Sequence, residues 1–196
     1  MKFNWKKEIR DWVILGLTLT FLWVTGLFSE VAGFTQRMVL ATGIISPSEL
    51  PEIEKTDAAY DFKLVTVDGT FFDFEEARGK VVFINFWASW CTPCIAEMPN
   101  IQNLYEDYKE NDEILFVMIG LDRDPKKSLD FIKRKEFDFP IYTPDYNDGI
   151  PAVYESTSIP TTFVLTKDGK IDMKKVGMAN YDSDRFRKYL NKLISK

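Results

Sequence analysis

The chain has no histidine at all and only two cysteines, Cys91 and Cys94. Without histidine, a cysteine cannot be activated by forming an ion pair with an imidazole, and a zinc site of mixed cysteine and histidine ligands cannot be built. Two cysteines also rule out a small scaffold held by several disulfides. Positive charge is in deficit: 25 Lys and Arg stand against 30 Asp and Glu, a formal charge of -5, which argues against a surface built for nucleic acid. Internal repeats and low-complexity tracts are absent, so a solenoid is excluded. What remains is 45% hydrophobic and 28% charged with sixteen Phe and five Trp, the composition of one globular domain plus an appended segment.

The segment WVILGLTLTFLWVTGLF (12–28) has no charge over seventeen residues, the short end of what crosses a bilayer as a helix. Residues 1–11 carry four basic side chains against two acidic ones, whereas 29–57 carry two against five. The positive-inside bias therefore predicts a cytoplasmic N-terminus, a single transmembrane anchor over 12–28 and everything after it outside the cytoplasmic membrane. A cleaved signal peptide is the alternative, but Glu30 stands where a small residue should precede the cut. Residues 31–45, VAGFTQRMVLATGII, are too short to span and carry Arg37 at their middle; they are expected to lie on the outer membrane surface or on the domain. SPSELPEIEKTD (46–57), with two prolines and no periodicity, reads as a tether, and 58–196 as the domain.

Within the domain, strand and helix patterns alternate. Asp68-Gly69 and Asp168-Gly169 each separate two strand-like runs, the signature of hairpins. KVVFINFWA (80–88) is a continuous apolar run, as in a strand buried on both faces. Ile95, Met98, Ile101, Leu104, Tyr105 and Tyr108 recur at helical spacing, ILFVMIGL (114–121) is a second buried strand, and Asp124-Pro125 supplies the cap and first turn of the next helix. Phe186, Tyr189, Leu190 and Leu193 form the apolar stripe of a closing helix. These elements predict an α/β sandwich.

The two cysteines are three apart in WASWCTPCIAEMP. A bridge across two residues restricts the unfolded chain little, which argues against a purely structural staple. Cys91 falls where a strand ends and a helix begins, so unpaired backbone N–H groups and the positive end of the helix dipole favour its thiolate. Cys94, one turn in, should be more buried. That asymmetry suits disulfide exchange, with Cys91 attacking a partner disulfide and Cys94 resolving the mixed disulfide. Two thiolates could instead hold Cu(I), a binding-module alternative. A peroxidase is disfavoured because no P-x-x-x-T-x-x-C spacing surrounds Cys91, and an inert scaffold is hard to reconcile with an intact pair.

FWASWCTPC, Pro99 eight residues after Cys91, and SIPTTFVL with Pro160 resemble the thioredoxin-like fold. The WC-x-P-C form, the preceding GTFFDFEEARGK hairpin and Glu97 resemble its membrane-anchored, extracytoplasmic ResA/TlpA branch of thiol-disulfide oxidoreductases. The resemblance covers residues 61–193. It implies a thioredoxin-like domain with an N-terminal hairpin and a βα insertion. Cys91 would be the nucleophile, Cys94 the resolving thiol and Pro160 a cis-proline beside them, with Trp90, Pro93 and Ile159 bordering it as substrate contacts. The aspartate that cytoplasmic thioredoxins bury six residues before the first cysteine is replaced by Asn85, which cannot accept a proton; Glu97 is the expected substitute, against the alternative of a solvated carboxylate. Asn85 is expected as a hydrogen-bonded core amide, Trp87 as packing and Pro99 as a helix kink. The resemblance further implies protein disulfides or dithiols as substrates, a membrane thiol carrier as electron donor, cytochrome c maturation as the task and a reducing direction. No cofactor, metal or nucleic acid is expected, and a monomer is.

Overall fold

The computed structural model describes residues 5–24, 55–66, 68–145, 147 and 149–196. Helix α1 (Trp5–Val24) is followed by β1 (Thr56–Asp57), β2 (Lys63–Thr66), β3 (Phe71–Asp73), a 3-10 turn (Phe74–Ala77), β4 (Val81–Trp87), α2 (Thr92–Tyr108), β5 (Ile114–Gly120), α3 (Pro125–Lys135), β6 (Ile141–Pro144), a 3-10 turn (Ala152–Tyr154), β7 (Thr161–Leu165), β8 (Lys170–Val176) and α4 (Asp184–Ile194). Among the described residues the strands form one sheet in the order β1-β8-β7-β4-β5-β6-β2-β3. β4, β5 and β6 run parallel; β7 runs antiparallel to β4, and β8, antiparallel to β7, runs parallel to β4 again. The mixed α/β sheet is thioredoxin-like, and between β5 and β7 the chain passes through α3 and β6, which adds a second parallel crossover to the sheet.

Local chemistry explains the elements. Gly69 and Gly169, at φ of 84° and 80°, take the left-handed conformation their hairpin turns need. Asp124 accepts a hydrogen bond from the Lys126 N–H and caps α3, and Ser183 does the same for Phe186 at the start of α4. All seven residues of β4 are buried because both faces of the sheet are covered. Phe83 and Trp87 face α2, α3 and α4 in one core with Met98, Ile101, Leu104, Phe131, Phe186 and Leu190. Val82, Ile84 and Phe86 point the other way, into a second core with Tyr60, Phe62, Phe74, Tyr154 and Phe163.

Two sequence expectations change. The helix at the N-terminus begins at Trp5, so Lys6, Lys7, Glu8, Arg10 and Asp11, read as a cytoplasmic tail, form its first turns. Among the described residues no helix is long and apolar enough to cross a membrane; the last four residues of the 12–28 segment lie outside them, as do 31–45 and most of the tether. The sheet also starts earlier than residue 58. Thr56 and Asp57, placed in the tether, pair with Ile171 and Lys170, and Lys55 reaches the buried Asp172 at 2.7 Å, whose other oxygen accepts from the Tyr189 hydroxyl. A buried carboxylate needs such partners, and they draw the end of the tether onto the domain.

Candidate active site

β4 delivers the chain to the C-terminal end of the sheet and α2 starts five residues later. Cys91 is the cap residue of α2, in extended conformation at φ -87° and ψ 99°, and its Sγ accepts from the Cys94 N–H at 3.3 Å. A sulfur in that place takes up one of the orphan donors of the first helical turn, so on reduction the same N–H and the helix dipole stabilise a thiolate at Cys91. Cys91 and Cys94 are joined in a disulfide with Cα atoms 5.3 Å apart. Cys94 is the more buried of the two, at 1% exposure against 5%, as the sequence implies. Pro93, half-buried, sits in the first turn, where its missing N–H costs no bond.

Cys94, Glu97, Ile101, Leu104 and Tyr108 line the buried side of α2. Glu97 is therefore not the solvated carboxylate that sequence alone allowed; it is fully buried, one turn from Cys94. Its Oε1 accepts from Asn85 Nδ2 at 2.8 Å and its Oε2 from the Ala179 N–H at 3.0 Å. Asn85 lies on the same face of β4 as Phe83 and Trp87, directly opposite Thr162 of β7. Its amide also donates to Thr162 Oγ1 at 2.9 Å, as does the Tyr181 hydroxyl at 2.7 Å. Burial pushes the Glu97 carboxyl up to about 8, against the lowering pull of the Asn85 and Ala179 donors and of Lys175. Burial, with the nearby Glu97, also raises the Tyr181 phenol well above its usual range.

The start of β7 comes to the same end of the sheet, since Thr161 pairs with Phe86 near the end of β4. The Ile159-Pro160 bond is cis, and the Pro160 carbonyl accepts from the Gly177 N–H at 2.9 Å. Ile159 is half-buried against both cores. The two tryptophans part company: Trp87 is fully buried against Phe131, with no hydrogen-bond partner for its indole N–H among the described residues, whereas Trp90 is 68% exposed beside Cys91. Pro99 lies inside α2, where its missing N–H leaves the Ile95 carbonyl without its helical donor. Sequence reading missed Thr162 of the neighbouring strand β7, which Asn85 meets, and Ala179 and Tyr181 in the loop after β8, which donate to Glu97 and to Thr162. It also passed over Asp122, buried at the end of β5. The signal for Glu97 was present in the spacing: it falls three after Cys94 and four before Ile101, on the stripe that faces the sheet.

A disulfide set at a helix N-terminus, its second cysteine the more deeply buried and followed one turn on by a buried acid, on a thioredoxin-like sheet, defines a thiol-disulfide oxidoreductase. The comparisons agree. The Redoxin family matches residues 54–192. The thiol-disulfide oxidoreductase ResA of Geobacillus kaustophilus is 33% identical over 183 residues, 92% of this chain and 95% of its own. That of Bacillus cereus is 31% identical over 167 residues, covering 85% and 91%. Among solved structures, StoA from Bacillus subtilis is similar at a TM-score of 0.54 and 26% identity, covering 69% of this chain and 96% of that one. A thiol:disulfide interchange protein of the thioredoxin family from Chlorobium tepidum reaches 0.59 at 25% identity, covering 74% and 99%. The chain belongs to the Redoxin family, as a thiol-disulfide oxidoreductase of the ResA type.

Proposed function

We propose that the chain reduces specific protein disulfides outside the cytoplasmic membrane, to which residues 12–28 anchor it. The observation that carries the reading is the pairing of Cys91 at the helix end with buried Cys94 and Glu97 one and two turns in. In the dithiol form the Cys91 thiolate attacks one sulfur of a substrate disulfide. A Cys91–substrate S–S bond forms, and the second substrate sulfur leaves as a thiolate that takes a proton from water. Cys94 then gives its proton to the Glu97 carboxylate and attacks Cys91 Sγ. The Cys91–Cys94 bond closes and the first substrate sulfur leaves, completing a two-electron transfer. The raised value of Glu97 makes its carboxylate a stronger proton acceptor than an ordinary one.

Trp90, Leu121 and Val176 are exposed apolar side chains around this end of the sheet. With Ile159 and Pro160 they offer a contact surface for an extended substrate segment with apolar residues beside its cysteine. Support for the anchor is the charge asymmetry around 12–28, together with the exposed Trp12, Val13, Ile14 and Leu17 of α1. The tether joins at the opposite end of the domain from Cys91, beside the Gly169 turn. The seven residues of β4 put roughly 23 Å between the two ends, so the site would face away from the membrane. A membrane thiol carrier with a protruding domain is then the fitting electron donor, and cytochrome c maturation, with an apocytochrome disulfide as substrate, the task in keeping with the family resemblance. The test is the reduction potential of the pair: a reductant lies nearer about -270 mV than about -120 mV, and a value at the oxidising end would reverse the proposed direction.

A further inference from the structure

Asp122 is a buried carboxylate that the exchange chemistry does not use. It lies between the end of β5 and the cap of α3, and its three hydrogen bonds converge from two directions. Oδ2 accepts from the Ser89 backbone N–H at 2.9 Å and from Ser128 Oγ at 2.6 Å, and Oδ1 accepts from Ser89 Oγ at 2.8 Å. Ser89 stands two residues before Cys91, in the short link between β4 and α2, and the Cys91 N–H donates back to Ala88 at 3.1 Å. On the other side, Ser128 reaches Asp122 from α3 by passing over Gly120, where any Cβ would lie 2.6 Å from its Oγ. Glycine at the end of β5 is thus what lets the helix hydroxyl close on the carboxylate. The Leu121 N–H, donating to the Trp87 carbonyl at 2.8 Å, holds the two strand ends together beneath.

We propose that Asp122 is a positioning residue for the exchange reaction: by fixing Ser89 at both its backbone and its side chain, it sets where the link delivers Cys91 onto the first turn of α2. The Cys91 sulfur meets the Cys94 N–H only if the residue before the helix takes the extended geometry seen here, and a link of four residues without internal repeats of structure depends on such an outside anchor. The proposal rests on the assignment of Cys91 as the attacking sulfur. Charge and geometry can be separated at this position. In Asp122→Asn the carbonyl can accept from the Ser89 N–H and the Ser128 hydroxyl while the amide donates to Ser89 Oγ, since a serine hydroxyl serves as donor or acceptor. Asp122→Ala leaves all three donors without their acceptor.

The experiment measures, in the Cys94→Ser background, the pH midpoint of Cys91 alkylation and the rate at which Cys91 forms a mixed disulfide with a small aromatic disulfide. Far-UV circular dichroism and a thermal melt report folding. Asp122→Ala should move the alkylation midpoint upward and slow mixed-disulfide formation about tenfold, the order of one lost helix-cap interaction. Asp122→Asn should restore both to within about twofold, and Ser128→Ala should shift both in the same direction by a smaller amount. If Asp122→Ala does not fold, Ser128→Ala and Ser89→Ala decide by the same readouts. Unchanged midpoint and rate in folded Asp122→Ala, or in both serine variants, would overturn the proposal, as would Asp122→Asn behaving like Asp122→Ala. A parent protein whose Cys91 forms no mixed disulfide would instead overturn the assignment of the attacking sulfur.

Discussion

Asn85 on β4 and Glu97 on α2 are joined at 2.8 Å in the layer directly beneath the disulfide, an amide where an aspartate would have been a second acid. Asn85 Nδ2 and the Ala179 N–H are donors only, so the two bonds favour the ionised carboxylate while burial opposes it more strongly. A group so balanced can hold a proton or release it near neutral pH.

The consequence for stability has a definite sign. Glu97 binds its proton more tightly folded than unfolded, about 8 against an ordinary 4.5. Its contribution is fully present below about 4.5 and is lost as pH rises to about 8, by on the order of 5 kcal/mol. Urea unfolding of the oxidised protein across this range should give a wild-type stability that declines with pH relative to Glu97→Gln. Parallel curves for the two proteins would contradict the buried, proton-binding carboxyl.

Glu97→Gln also tests the proton transfer. The new amide faces a donor at Asn85, which a flip of Asn85 can accommodate if the Thr162 hydroxyl turns to donate. The fold and disulfide should persist, whereas resolution of the mixed disulfide by Cys94 should slow tenfold or more at about pH 7. The ratio should narrow toward high pH, where hydroxide can take the Cys94 proton in both proteins. Stopped-flow resolution rates from pH 6 to 10 check this; a constant ratio across the range would place the acceptor elsewhere.

Lys55 and Asp172 form an ion pair at 2.7 Å with the carboxylate almost wholly buried. Lys55→Ala leaves Asp172 with the Tyr189 hydroxyl and an uncompensated charge, so stability should fall by roughly 3 kcal/mol. Lys55→Ala with Asp172→Asn should recover most of it. Chemical denaturation of Lys55→Ala, Asp172→Asn and the double variant checks the coupling, and additive losses would show that the pair does not act as one.

For the topology, protease added to intact spheroplasts should remove residues 58–196. A protected domain, digested only after lysis, would contradict a single outward-facing anchor.

The parts of the fold written in local chemistry were legible in the sequence. Asp68-Gly69, Asp168-Gly169 and Asp124-Pro125 carry their own turn and cap signals, and the apolar run through β4 announces burial on both faces. β1 was not legible, because two residues carry no periodicity and Thr56-Asp57 pair only once β8 is present to receive them. At the site, Cys91 and Cys94 follow from their spacing and their place at a strand-to-helix junction, and Pro160 from the family resemblance. The helical stripe turns Glu97 toward the sheet, but its meeting with Ala179, like that of Asp122 with Ser89, is decided by tertiary packing. α1 extends back beyond the apolar segment to Trp5, because Lys6, Lys7, Glu8 and Arg10 are compatible with helix and continue it.

The central claim is the division of labour between the two sulfurs, and trapping measures it. Each single variant, Cys91→Ser and Cys94→Ser, is reduced, mixed with a disulfide-containing protein substrate and run on a non-reducing gel. Cys94→Ser should accumulate a mixed disulfide through Cys91, because attack proceeds and resolution cannot, while Cys91→Ser should trap little. Equal trapping by both variants, or none by either, would contradict the account.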